Sequence, residues 1–548
     1  MKQISYSLLL CCVIFHIHAQ RGIEQPYHET LDDPYLPPPA EKMVSPAYQF
    51  SSSSFTITQV NLDSNGQNII GDAANEPSIA IDRLDPNRIV IAWRQFDNVA
   101  SNFRQAGVGY SLDAGSNWTT IPPVEAGVFR SDPVLSSDSY GNFYFNSLRQ
   151  TFECDVFKTN DPASWTNKTY AYGGDKQWMV IDNTTQSSNG HIYGSWSPNF
   201  SPHALNSLRS TDLGESYETC CDALGSVRWG TLSVGPDGEL YMCGENQVFK
   251  SVSARDPNLG IYWEQGTFVD LGSFNLAFVS NSPNPGGLLG QTWIATDHST
   301  TDARGNVYLL STLAPNSETP TDILFTRSLD GGVNWDEPTR INDDHSASNN
   351  WHWFGTMSVA PNGRIDVVWL DTRDDPDNGY VSSLYYAFSS DAGLTWAENT
   401  RLSEGFDPHL GWPNQNKLGD YFHMISSNEG AHLAWAATFN GEQDVYYSFI
   451  QPSDIVSSTS ADLNQSSEIQ CTVYPNPTQG QAYLQINNPN SQFLKISISH
   501  LSGKTLDVIA AGHYSAGRYN LPLSGPSLHL KPGVYLVKTE NAAGKINI

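Results

Sequence analysis

The sequence predicts an all-β protein: a β-propeller followed by a small C-terminal β-sandwich. Three observations predict it. A strand, a turn and a second aromatic-bearing strand recur seven times, at intervals of roughly fifty residues. A Ser-x-Asp-x-Gly-x-x-Trp turn follows several of these units in register. The 548 residues include 43 glycines and 32 prolines, are 11% aromatic and only 16% charged, and carry no long helical periodicity.

The N-terminus reads as a signal peptide over residues 1–19. Lys2 gives a positive start, Leu8 to Ile17 an apolar core, and Ile17-His18-Ala19 a cleavage site. Residues 20–54 read as a loose leader, 55–450 as the propeller, 451–470 as a polar linker and 471–548 as the sandwich. No later segment is apolar and long enough to span a bilayer, so an exported, non-membrane-spanning chain is expected.

SIAIDRLDPNRIVIAW (78–93) is the clearest repeat. Seven units imply seven blades, with six as the alternative if one unit is misread. The special turn is built from Ser111, Asp113, Gly115 and Trp118, from Ser328, Asp330, Gly332 and Trp335, and from Ser389, Asp391, Gly393 and Trp396. A degenerate copy holds Asp212 and Gly214, with Tyr217 in the Trp place. The Asp accepts backbone N–H bonds, the Gly takes a left-handed angle, and the Trp buries its ring between sheets. These residues are expected to be a folding device. The seventh unit has no such turn, and FTITQVNL (55–62) is a strand without a partner. It is expected to complete the last blade and hide the sheet edges.

A formal charge of −28 opposes nucleic acid and anionic lipid. Five cysteines remain after the signal peptide: Cys154, Cys220, Cys221, Cys243 and Cys471. Without a CxxC pair no zinc site is expected, and a disulfide from Cys220 or Cys221 to Cys243 is permitted. No metal or other cofactor is predicted. The run Asp371-Thr372-Arg373-Asp374-Asp375 is the one loop whose oxygens could hold calcium, and a solvated acidic loop is the competing expectation.

Two resemblances enter here. Tyr474-Pro475-Asn476-Pro477, Ser502-Gly503-Lys504, Gly533-Val534-Tyr535-Leu536 and the terminal Lys545 resemble the type A sorting domain of the type IX secretion system of Bacteroidota. That resemblance implies export across the outer membrane, with the type IX machinery as a partner, to the cell surface or beyond. The body resembles Asp-box (BNR-repeat) sialidase-like propellers, a group of sialidases, other glycosidases and binding proteins. Sialidases grip the sugar carboxylate with arginines, the first in an Arg-Ile-Pro motif. Here that place reads Asn75-Glu76-Pro77, which argues against sialic acid hydrolysis.

In a propeller the inner strand starts on the face where the second strand ends. Glu76, Asp132, Asp175, Lys176 and Trp178 should therefore share a face with Arg94, Arg149, Asp371 and Arg373. Trp229, Asp297, His298, His352, Trp353, Asp420 and Tyr421 are expected to join them. The ligand-binding candidates are Glu76, Arg94, Arg149, Lys176, Trp178, Trp353 and Arg373. Asp132, Asp175, Asp420 and Tyr421 are candidates for catalysis. The competing expectation is a ring of structural ion pairs. Three functions follow: binding of an extracellular glycan or protein, glycoside hydrolysis, or a structural and adhesive role.

Overall fold

The computed structural model describes residues 33–547 except 39–41, 199–200, 221–226, 245, 265, 272–278, 280, 315–319, 346–348, 376, 378, 456–468, 475–482, 489–491, 501–503, 515–516, 524–532 and 542–545. The expected signal peptide lies outside the described residues, as do most of the first two sorting motifs.

Seven antiparallel sheets form a β-propeller. Their inner strands are Ala73–Ile81, Ser131–Ser137, Trp178–Ile181, Leu232–Val234, Trp293–Thr296, His352–Val359 and His423–Ser426, here blades 1 to 7. Each inner strand touches the next, and the seventh touches the first, so the ring is closed. The strands read as apolar runs because both faces are covered by neighbouring blades. Ile89–Phe96 in blade 1 and Ile365–Asp371 in blade 6 are buried throughout.

Blades 1 to 6 take four consecutive strands each. Blade 7 takes three, and its fourth is Phe55–Gln59, with Phe55 opposite Ile450 and Gln59 opposite Tyr446. Gln49–Ser51 adds a fifth strand outside it. A strand from the chain's start thus pairs with the far end of the propeller and removes the two free edges.

The special turns share one geometry. Asp113 Oδ1 accepts the Asn117 N–H at 2.9 Å, and Ser111 Oγ accepts the Gly115 N–H at 2.9 Å. Asp212, Asp330 and Asp391 repeat the first bond, to Ser216, Asn334 and Thr395. The Trp118 and Trp335 indoles donate to Gly115 and Gly332 carbonyls. Trp396 packs edge-on against Phe325 of blade 5, at 5.0 Å.

Two corrections belong here. The permitted disulfide does not form: Cys243 is a buried free thiol. It sits in the second strand of blade 4 and donates to the Thr292 carbonyl at 3.3 Å, whereas Cys220 lies on the outer strand of blade 3. Asp297 and His298 follow the inner strand of blade 5 instead of preceding it, so they lie at the opposite end from Glu76. Asp297 holds its own turn through the Ser299 N–H at 2.7 Å.

After residue 470, a three-stranded and a four-stranded sheet enclose Leu484, Ile486, Leu494 and Ile496. That is the small sandwich.

The Gly115→Ala variant tests the turn. Gly115 has φ 86°, and a Cβ there would overlap the Tyr447 ring of blade 7. A loss of about 2 kcal/mol or more is expected from left-handed strain plus overpacking, read as a lowered denaturation midpoint.

Candidate functional site

Five of the seven blades enter their inner strand through a kink at a non-glycine residue. Glu76, Asp132, Lys176, Trp229 and Phe354 occupy the same place in blades 1, 2, 3, 4 and 6, all with positive φ between 46° and 57°. Non-glycine residues reach this region only at an energetic cost of about 1–3 kcal/mol each, so surrounding contacts must hold them. In blades 1 and 6 the ladder register slips at the kink, which is a bulge.

The kinks bring three of the candidates together at the channel mouth. Lys176 Nζ lies 2.5 Å from Asp420 Oδ2, 3.3 Å from Asp132 Oδ2 and 3.8 Å from Glu76 Oε1. Arg94 Nε is 3.2 Å from Glu76 Oε2. Lys417 Nζ is 2.6 Å from Asp420 Oδ2 and 3.4 Å from Glu76 Oε1. Three cations therefore meet three carboxylates. Glu76, Arg94, Asp132 and Asp420 are all buried.

The electrostatics follow from that balance. Burial pushes Glu76 up to about 7 against the pull of Arg94, Lys176 and Lys417. Burial acts the same way on Asp132, but Lys176 and Arg94 outweigh it and hold the carboxyl down at about 2. Asp420 is likewise held well below the usual carboxylate range by Lys176 and Lys417, and it shares a hydrogen bond with Glu76. Lys176 is raised well above the usual lysine range: burial opposes its charge, and Asp132, Asp420 and Glu76 overcome that.

A segment between blades 4 and 5 seals this network. Leu288 N–H donates to Asp420 Oδ1 at 2.8 Å. Asn284 Nδ2 donates to the Gly419 carbonyl at 2.8 Å, and its Oδ1 accepts the Leu418 N–H at 2.8 Å. Gly287 is tight against Asp420 and the Gly419 carbonyl, with no room for a side chain.

Several candidates do not present themselves to a ligand. Trp178 is buried in the channel wall, edge-on to Trp293 at 5.1 Å and to Tyr421 at 5.6 Å. Trp353 is fully buried and donates to Ser382 Oγ at 3.1 Å. Tyr421 is buried: burial, then Glu76 and Asp132, raise its phenol well above the usual range, and its hydroxyl donates to the Pro133 carbonyl at 2.8 Å. Arg373 is neutralised by Asp371 at 2.8 Å and Asp343 at 2.6 Å. His352 joins that knot, 3.1 Å from Asp344 and 3.5 Å from Asp371. Asp375 Oδ1 accepts the Asp377 N–H at 3.1 Å and Oδ2 the Val381 N–H at 3.0 Å. Among the described residues no group of three or more Asp, Glu, His or Cys is arranged to hold a metal ion. Asp175 is half-buried beside Lys176, and its carbonyl accepts the Ser197 N–H at 3.0 Å.

Arg149 alone of the arginine candidates keeps an open face. It follows the second strand of blade 2, pairs with Asp155, and lies over the Tyr170 ring at 5.6 Å. Tyr170 is 39% exposed. Its ring meets Tyr172 at 5.1 Å, and Tyr172 meets His203 edge-on at 5.3 Å. The Tyr170 hydroxyl donates to Glu153 Oε1 at 2.7 Å and lies 3.2 Å from His203 Nε2. The sequence reading missed Lys417, Tyr170, Tyr172 and His203. Lys417 stands three residues before Asp420, yet outside any repeat. The aromatic group is assembled from two blades and carries no motif.

Comparison with known proteins adds the following. Residues 472–547 match the secretion system C-terminal sorting domain. The chain therefore carries the tail of proteins that the type IX system exports to the cell surface or extracellular space. No curated protein matches the chain. Among solved structures, it is similar to a protein of unknown function from Dyadobacter fermentans (13% identity, 73% of this chain and 98% of that one, TM-score 0.41). It is also similar to the BP39L lectin of Burkholderia pseudomallei (12% identity, 68% and 98%, TM-score 0.43). A third is an α-L-arabinofuranosidase from Fusarium graminearum (12% identity, 74% and 99%, TM-score 0.28).

Replacing Lys176 by Met strands buried Asp132, while Asp420 keeps Lys417. A loss of about 3–5 kcal/mol at pH 7 is expected. Part of it should return as pH falls toward the ordinary carboxylate range near 4, because a buried carboxyl left without its cation takes up its proton above that range. Denaturant melts at pH 7 and 4 check both.

Proposed function

We propose that this chain is an exported, non-catalytic recognition propeller that binds an uncharged saccharide on the rim formed by Tyr170, Tyr172, His203 and Arg149. The observation that carries the reading is the contrast between two polar groups on one face. At the axis Glu76, Asp132 and Asp420 are buried and matched by lysine or arginine, and residues 284–288 cover Asp420. Hydrolysis by paired carboxylates needs an acid and a base that reach substrate. On the rim, tilted aromatic rings stand open beside hydrogen-bonding groups.

Aromatic faces cover the C–H faces of sugar rings, while planar polar side chains meet the hydroxyls. Charge selects the class. Arg149 is already engaged by Asp155, so among the described residues of this rim no free cation waits for a uronate or sialate. The net charge of −28 further repels anionic polymers. A sorting tail that sends the chain to the cell surface or beyond supports this reading, since polysaccharides occur there.

The experiment is retention of the purified chain on neutral and acidic polysaccharides, alongside an assay for released reducing ends. Neutral-glycan retention without hydrolysis is expected, and Tyr170→Ala should weaken it about tenfold or more. The folded state should survive, since Tyr170 is partly exposed. Hydrolysis that Asp420→Asn abolishes, or retention indifferent to Tyr170→Ala, would contradict the reading.

A further inference from the structure

The seam that closes the ring holds a second buried carboxylate group with a different solution to its charge. Asp444 opens the third strand of blade 7. Its Oδ1 accepts from Asn61 Nδ2 at 2.8 Å, and its Oδ2 from Asn440 Nδ2 at 3.1 Å and the Tyr446 hydroxyl at 3.3 Å. Glu442 accepts from Asn68 Nδ2 at 2.9 Å and from the Gly71 N–H at 2.7 Å. Asp72 Oδ2 accepts from Gln95 Nε2 at 3.0 Å, while its Oδ1 is buried with no hydrogen-bond donor. Every one of these donors is neutral. The three side chains are buried.

These bonds tie the N-terminal strap to the rest of the ring. Val44–Pro46 pairs with Gln67–Ile69, and Asn68 and Gly71 then bind Glu442 of blade 7. Asn68 Nδ2 also donates to Ser45 Oγ at 3.0 Å. The charged and titratable neighbours are few. Exposed Lys42 draws Asp72 down from the strap side, Asp97 after the second strand of blade 1 pushes it up, and the Tyr446 phenol bonds Asp444 with the Tyr48 ring beside it. Burial and then Glu442 raise Asp72 to about 8. Burial raises Glu442 to about 7, and it keeps Asp444 well above the usual range.

We propose that this seam is a proton-operated latch: its protonated carboxyls keep the N-terminal strap seated on blade 7, and their ionisation loosens it. The sign is fixed by proton counting. In the open chain these groups ionise near pH 4, whereas in the closed seam they keep their protons up to about pH 7–8. The closed state binds more protons across that window, so closure is firmest on the acid side and weakens as pH rises through it. The protons pass to solvent.

Amide hydrogen exchange on the full chain tests this, with protection factors corrected for intrinsic chemistry at pH 5.5 and 8.5. Amides of residues 67–71 are expected to lose protection about tenfold or more at the higher pH, while Val90 to Trp93 of blade 1 stay unchanged. Asp72→Asn should flatten the response, since it keeps an oxygen to accept the Gln95 bond and cannot ionise. Glu442→Gln is the second variant. PH-independent protection in the wild-type chain would overturn the latch, as would an undiminished loss in both variants. Restoration of protection at pH 8.5 by calcium alone would also overturn it, in favour of a cation site.

Discussion

Closure of the ring by Phe55–Gln59 is the constraint on which the rest of the molecule depends. That strand lies opposite Tyr446 to Ile450, so the first and last parts of the propeller form one sheet. Without it, blade 7 would show an open edge and its contact with blade 1 would rest on packing alone. The axial network needs the same closure. Glu76 belongs to blade 1, Lys176 to blade 3 and Asp420 to the entry of blade 7, and they meet only in a completed circle. Such pairing over long sequence separations carries a high loop-closure entropy.

The channel and the seam show two ways to bury carboxylates in an acidic protein. At the axis, Lys176, Lys417 and Arg94 match Asp132, Asp420 and Glu76 with opposite charge. A network of this kind stabilises little compared with an apolar core of equal volume, but it is intolerant of losing one member. It therefore specifies the arrangement of the blades. At the seam, neutral amides and a backbone N–H surround Asp72, Glu442 and Asp444, so protons supply the neutrality. At the periphery, Tyr170 and Arg149 remain reachable.

Much of this architecture was legible in the sequence because it is local and repeated. The Ser-x-Asp-x-Gly-x-x-Trp turn fixes its own hydrogen bonds within eight residues, and the orphan strand at 55–62 announced the clasp. Placing Glu76, Asp132, Lys176, Arg94 and Asp420 on one face needed only strand direction. What the sequence could not disclose was whether that face is open. Burial of Trp178, Trp353 and Tyr421 depends on packing between blades far apart in the chain. The cover over Asp420 comes from Asn284 and Leu288, in a connection without pattern. Asp297 and His298 were misplaced because blade 5 begins earlier than its turn suggested. Cys243 pairs with no thiol because strand order sets it inward, a fact that cysteine counting does not contain.

The central claim is that the axial charges neutralise one another in a sealed channel. Carbon-13 NMR titration of the Asp and Glu carboxyls in the folded chain tests it most directly. Asp132 and Asp420 should stay ionised well below pH 4, with Asp132 titrating near 2, while Glu76 titrates near 7. All three titrating near pH 4, as solvent-exposed carboxyls do, would contradict it.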